Sequence, residues 1–201
     1  SLFMEGDAYL QGVESVLAVA EKFEDIEFVD FGGGFGIPYH KQDGQERLEL
    51  KEFGEKFEKI LTDWADKYGR QIMFRSEAGR YISAECGVLL GRVHAIKQNY
   101  GTTFVGTDLG FNVIARPVMY DSHHDIEVYK KGMAPAEPEK QVVTVVGNIC
   151  ESGDIIANER DLPRIDEGDI LGVMDSGAYG YSMASNYNNR LRPAEVLIKK
   201  D

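Results

Sequence analysis

The chain has 201 residues, 43% of them hydrophobic and 28% charged, with a formal net charge of −12. That length holds one domain or two small ones with a real core, the composition is that of an ordinary globular protein, and the negative charge argues against nucleic-acid binding. No run approaches the roughly 18 apolar residues that span a bilayer, so no membrane partner is expected. Glu5 and Asp7 interrupt the opening residues where a signal peptide would have its apolar core, and two cysteines are too few for a disulfide framework. The expected location is cytoplasmic.

In chain order, Val13, Val16, Leu17 and Ala20 fall at helical spacing. Residues 26–31 form a short apolar strand pattern that runs into Gly32-Gly33-Gly34-Phe35-Gly36. Leu50, Phe53, Phe57, Ile60, Leu61 and Trp64 mark a second amphipathic helix that stops near Tyr68-Gly69, and residues 72–74 read as a second buried strand. Helix, strand, glycine loop, helix and strand make a piece of parallel α/β architecture. From about residue 83 the texture changes to short β-rich runs at 88–98, 102–107, 126–129, 141–146, 170–174 and 195–199. Gly, Asn, Asp and Pro separate them, so an all-β sandwich or Greek-key barrel is expected there. Residues 133–138 read as a proline-containing surface loop.

Several groups of residues could carry chemistry. Glycine lets backbone N–H groups approach a ligand closely, and a strand entering a glycine loop suits a phosphate. A dinucleotide fingerprint starting at Gly32 would need glycine at Ile37, and a P-loop would need Gly-Lys-Ser/Thr where Ile37-Pro38-Tyr39 stands. A plain structural turn remains open. Glu77-Ala78-Gly79-Arg80 follows the second strand, where α/β folds place active sites; an ion pair at a domain junction would look the same. Arg116 and Tyr120 could hold a substrate carboxylate or lie on the surface. Cys150-Glu151-Ser152-Gly153-Asp154 could serve acid–base chemistry or be a cysteine before a polar turn. His123 and His124 adjoin Asp125, but adjacent side chains on an extended segment point to opposite faces, so no metal site is expected.

Taken together, Gly32-Gly33-Gly34-Phe35-Gly36, Glu77-Ala78-Gly79-Arg80, Arg116 with Tyr120, Cys150-Glu151-Ser152-Gly153-Asp154 and Gly177-Ala178-Tyr179 resemble the pyridoxal-phosphate decarboxylases with an alanine-racemase-like barrel. Ser185-Asn186-Tyr187-Asn188 and Arg192-Pro193-Ala194-Glu195-Val196 are similar to the diaminopimelate decarboxylase branch. The resemblance covers the whole chain but only the C-terminal half of the family's. It implies the last strand–helix units of a (β/α)8 barrel over 1–82, followed by a β domain over 83–201. The cofactor implied is pyridoxal 5'-phosphate. Gly34, Gly79, Arg80 and Tyr179 would bind its phosphate and Glu77 would face its pyridine nitrogen. Arg80, Arg116 and Tyr120 would take substrate carboxylate, Glu151 the distal ammonium, and Cys150 would lie near the carbon to be reprotonated. The resemblance also implies a homodimer whose active sites are shared across the interface.

Two departures stand out. Ala78 replaces the usual proline and frees a fixed φ. The Schiff-base lysine and the ring-stacking histidine lie in a segment of the family's chain that precedes Ser1, so this chain alone is expected to be inactive. A cut barrel should also expose an apolar edge and associate. The resemblance implies conversion of meso-diaminopimelate to L-lysine and CO2. Decarboxylation of ornithine, arginine or carboxynorspermidine is the alternative within enzymes, and a non-catalytic, decarboxylase-like regulatory partner is the alternative outside them.

Overall fold

The computed structural model describes residues 2–131 and 139–199; the stretch 133–138, read above as a surface loop, lies outside them. The chain divides into two compact units, Ser1–Ile82 and Ser83–Asp201.

The first unit is parallel α/β. Helix α1 (Gly6–Ala20) precedes strand β1 (Phe28–Asp30), and helix α2 (Leu50–Tyr68) precedes strand β2 (Met73–Arg75). The strands pair in parallel, Val29 opposite Phe74. Helix α1 buries Tyr9, Leu10, Val13 and Leu17, and α2 buries Phe53 and Trp64 against the same core. Trp64 fixes the register of the two helices by donating its indole N–H to the Leu17 carbonyl at 3.2 Å. Helix α2 ends where Gly69 adopts φ 75°, a left-handed cap that favours glycine. A short helix α3 (Gly79–Ser83) closes the unit. Phe28 and Met73, partners in the two-stranded sheet, are exposed, and the Arg75 guanidinium lies 4.1 Å from the centre of the Phe28 ring.

The second unit is one mixed sheet of six strands in the order β5-β8-β3-β4-β6-β7. These are β3 (Leu89–Asn99), β4 (Thr102–Thr107), β5 (Ile126–Tyr129), β6 (Lys140–Val146), β7 (Ile155–Pro163) and β8 (Ile170–Val173), with helix α4 (Arg116–Tyr120) between β4 and β5. Val93, Val105, Ile126, Val145, Leu162 and Leu171 alternate inward and make the core. Coiling brings the edge strands β5 and β7 against each other, so the sheet is a nearly closed barrel. Strand β7 escaped the sequence reading because a bulge breaks its period of two. Val143 faces Arg160 while Val145 faces Ala157, and Glu159 takes φ 45° between them. The run 195–199, read as a strand, forms no ladder here; Leu197 and Ile198 are 81% and 90% exposed.

Arg160, set by that bulge, joins the edges. Its Nη1 donates to the His124 carbonyl at 3.1 Å, and its Nη2 lies 3.0 Å from His123 Nε2 and 3.8 Å from Asp125 Oδ1. Lys130 closes the far end of β5 by donating to Asp166 at 2.8 Å and to the buried Asp169 at 2.9 Å. Burial opposes charge on both Lys130 and Asp169, but their hydrogen bonds outweigh it, raising the ammonium and lowering the carboxyl.

Burial pulls the His124 imidazole from its ordinary 6.5 down to about 4, helped by the nearby Arg116 and against a hydrogen bond to Met174. A histidine held neutral binds fewer protons than the unfolded chain between those values. Stability therefore falls as pH drops through that window, by up to about 1.4 kcal/mol per pH unit. Urea unfolding followed from pH 7 to 4 should show this slope, and His124→Gln should flatten it. Sedimentation of this chain alone should show concentration-dependent association through the apolar edge; a dilute and a concentrated sample giving the same compact monomer would contradict that.

Candidate active-site residues

In the first unit the two strand ends are stitched together beyond the strands themselves. Phe31 N–H donates to the Arg75 carbonyl at 3.0 Å and Glu77 N–H to the Gly32 carbonyl at 2.8 Å. These bonds place the glycine loop beside Glu77-Ala78-Gly79-Arg80. A side chain at Gly33 would run into the Glu77 carbonyl oxygen, and one at Gly36 into Phe3 and Met4. Gly32 and Gly34 take φ 68° and 102°, which side chains disfavour. The glycines thus divide their work: Gly33 and Gly36 permit close approach, Gly32 and Gly34 permit the turn.

Glu77 lies exposed at the C-terminal end of β2, and among the described residues its carboxylate makes no ion pair. Gly79 N–H donates to the Glu77 carbonyl at 2.8 Å, so in this structure that donor is engaged by the chain. The Arg80 guanidinium lies 5.9 Å from the centre of the Tyr39 ring. The structure therefore brings Gly34, Glu77, Gly79 and Arg80 to two adjoining strand ends of one unit.

The second unit carries the rest. Ala115 is the N-cap of helix α4, and Pro117 sits in the first turn, where a missing N–H is harmless. Arg116 is 5% exposed and Tyr120 62%, although residues four apart share one face of a helix, so Arg116 sits at the buried end of that face and Tyr120 at its open end. Cys150 and Glu151 sit exposed on the loop between β6 and β7. Val118 of α4 would touch a side chain at Gly153 of that loop, so Arg116 and Tyr120 share one region with Cys150 and Glu151.

Asp154 holds the loop in place. Its buried carboxylate accepts from Phe111 N–H at 2.7 Å and Ile149 N–H at 2.9 Å, and its carbonyl accepts from Gly147 at 2.9 Å. Such a carboxylate ties two loops with backbone donors alone. The tail packs alongside: the Tyr187 ring lies 5.2 Å from Phe111, and its hydroxyl is 3.4 Å from Glu151 Oε2. Arg190 Nη2 donates to the Asn148 carbonyl at 3.0 Å.

Tyr179 stands in the loop after β8 with φ 59°, and Asp175 in the same loop has φ 56°. The loop is pinned by Ser176 N–H to Gly87 O at 2.8 Å and Gly177 N–H to Ala84 O at 2.9 Å. Gly177 has no room for a Cβ against the Ser83 carbonyl.

Three residues escaped the sequence reading. Asp154 closed a motif but was given no role, Arg160 lay in an unrecognised strand, and His124 was weighed only as a metal ligand. The two histidine rings have different partners: His123 faces Asp125 at 2.8 Å, while His124 lies between Arg116 and Met174. Among the described residues no group of acidic, His and Cys side chains is arranged to hold a metal.

Residues 16–177 match the family model for the pyridoxal-dependent decarboxylase C-terminal sheet domain. Diaminopimelate decarboxylase of Methanothermobacter thermautotrophicus is 41% identical over 203 residues, covering 98% of this chain and 46% of that protein. A crystal structure of diaminopimelate decarboxylase from M. jannaschii superposes with a TM-score of 0.81 at 35% identity, over 96% of this chain and 44% of the other. The Helicobacter pylori diaminopimelate decarboxylase, complexed with L-lysine, superposes with a TM-score of 0.77 at 31% identity, over 94% and 44%. With about half the length of these relatives, and with both its α/β strand ends and its β barrel accounted for, the chain belongs to the pyridoxal-dependent decarboxylase family.

Proposed function

We propose that this chain is the C-terminal part of a pyridoxal-phosphate-dependent decarboxylase that converts meso-diaminopimelate to L-lysine and CO2, working as a cytoplasmic homodimer with shared active sites. The observation that carries the reading is the glycine loop bonded to the strand end that presents Glu77. This arrangement fits pyridoxal phosphate. Gly34 N–H has no protein partner among the described residues, its left-handed backbone excludes larger residues, and an anionic carboxylate stands nearby.

In this reading Gly34, Arg80 and Tyr179 hold the phosphate, with Gly79 joining if its bond to Glu77 is exchanged. Glu77 keeps the pyridine nitrogen protonated, since a facing carboxylate favours the charged form of a base. The cofactor, when bound, supplies the electron sink for decarboxylation. Arg80, Arg116 and Tyr120 take substrate carboxylate, where a guanidinium offers a bidentate fork. Glu151 attracts the distal ammonium, and the Cys150 thiol holds a proton near the reacting carbon. The loop that Asp154 ties down fixes the spacing of those last two groups.

The relatives named above support diaminopimelate as substrate, and the L-lysine complex of the H. pylori protein is consistent with an amino acid carrying a distal ammonium. Joined to its upstream coding sequence and supplied with pyridoxal phosphate, the protein should release CO2 from meso-diaminopimelate and not from ornithine or arginine. Release from ornithine or arginine instead would overturn the substrate assignment, and release from none would favour the regulatory relative. This chain alone should release none. In the complete protein, Glu151→Gln should raise KM for meso-diaminopimelate by about 10–100-fold, the worth of one charge-assisted contact; steady-state kinetics beside the parent protein would check it.

A further inference from the structure

His124 has no part in the site as described so far, yet two of its contacts leave its protonation no freedom. Nδ1 lies 2.7 Å from the Met174 carbonyl oxygen, which can only accept, so Nδ1 carries the proton. Nε2 lies 2.8 Å from Arg116 Nη1, which can only donate, so Nε2 offers its lone pair. The ring is therefore neutral and in a single tautomer. An imidazolium there would set two N–H donors against each other inside a buried pocket of the fold, where His124 and Arg116 are 3% and 5% exposed.

Both ends of this chain of contacts are anchored to the sheet. Met174 follows β8, and its N–H donates to the Asp125 carbonyl at 2.9 Å, extending the β5–β8 ladder by one rung. The His124 carbonyl accepts from Arg160 of β7 at 3.1 Å. Beside it, the His123 ring lies against Asp125 and Arg160, and Arg160 also lies 3.8 Å from Asp125. Arg116, by contrast, comes from α4, a helix of only five residues.

We infer that His124 is a positioning residue for Arg116, aiming its guanidinium from the β5–β8 ladder through one fixed neutral tautomer. The inference rests on the reading of Arg116 as a carboxylate-binding side chain. It also explains the residue type. A carboxylate in place of His124 would orient the guanidinium but compete with a substrate carboxylate for its charge; an imidazole accepts the N–H and adds no negative charge. Serine or threonine would be too short to span Met174 and Arg116 together.

Two substitutions separate positioning from folding. His124→Asn keeps a donor near the Met174 carbonyl and deletes the acceptor toward Arg116, whereas His124→Gln can place an acceptor near the Nε2 position. In the complete, cofactor-loaded protein, His124→Asn should raise KM for meso-diaminopimelate by about tenfold with kcat changed less than about threefold, and His124→Gln should recover most of that loss. Two nuclear magnetic resonance measurements on the present chain do not depend on turnover. The imidazole nitrogen shifts should show Nδ1 protonated and Nε2 bare at neutral pH. Rotation of the Arg116 guanidinium should be slow in the parent and in His124→Gln, and fast in His124→Asn. The opposite tautomer, or a folded His124→Asn with unchanged Arg116 rotation, overturns the positioning role. If Arg116 loosens in His124→Asn while KM stays at the parent value, the link to substrate fails. If the complete parent protein turns over none of the three amino acids, the functional reading fails instead, and the Arg116 rotation still decides whether His124 positions it.

Discussion

A sheet of six strands that coils on itself must join its first and last members or leave two open edges, and in this protein the join is made by side chains. No backbone ladder runs between β5 and β7. Arg160 takes its place by reaching from the β7 bulge to the main chain of His124 and to the side chains of His123 and Asp125. An arginine suits this task because its planar fork can serve several acceptors at once. The same seam carries the approach to β5, so what closes the barrel also holds the main chain of His124, the residue whose ring meets Arg116. Barrel closure and the setting of Arg116 are therefore coupled through one residue cluster.

A similar economy holds in the first unit. The bonds that continue the β1–β2 register past the strands are also the bonds that seat the glycine loop against Glu77. Gly33 is needed because another backbone occupies the space a side chain would fill. A glycine-rich sequence here thus has two causes, packing of chain on chain and a turn of positive φ. Both are structural causes, carried by different glycines of one loop, and the anion cradle belongs to the proposed function alone.

Much of the fold was legible because it is local. Helices α1 and α2 announce themselves by apolar spacing, and Gly69 marks a helix end that its left-handed backbone requires. Strands β4 and β5 have the limits that their composition suggested. What escaped was set by partners far along the chain. Ile155–Pro163 has a run of polar residues and a bulge, so its strand character comes from pairing with β6 and not from its own pattern. Residues 195–199 show the converse: a β-rich composition with no strand to pair with among the described residues. Arg116, His124 and Met174 meet only because β5 and β8 pair in the sheet and the short helix α4 brings Arg116 to the residue before that pair. A lone histidine pair next to an aspartate gave no hint of that, since the carbonyl and the guanidinium that fix the ring are invisible to motif spacing.

The charge of the chain poses a last question, since a protein at −12 is proposed to gather an anionic cofactor and a dicarboxylate. At physiological salt, charges on the surface are screened beyond about 8 Å, so the net charge says little about the potential at one loop. Attraction must then be local, and in the proposed reading it includes the Gly34 N–H, Arg80 and Arg116. A few donors suffice only if they are held in place, because each mobile side chain gives back part of its binding free energy as lost rotamer freedom. That condition makes sense of the way these residues are mounted. The loop of Gly34 is bonded to two neighbouring segments, and Arg116 is gripped by a neutral ring tied to the sheet. Rigidity at a few cations and backbone donors does what an overall positive charge would do less selectively.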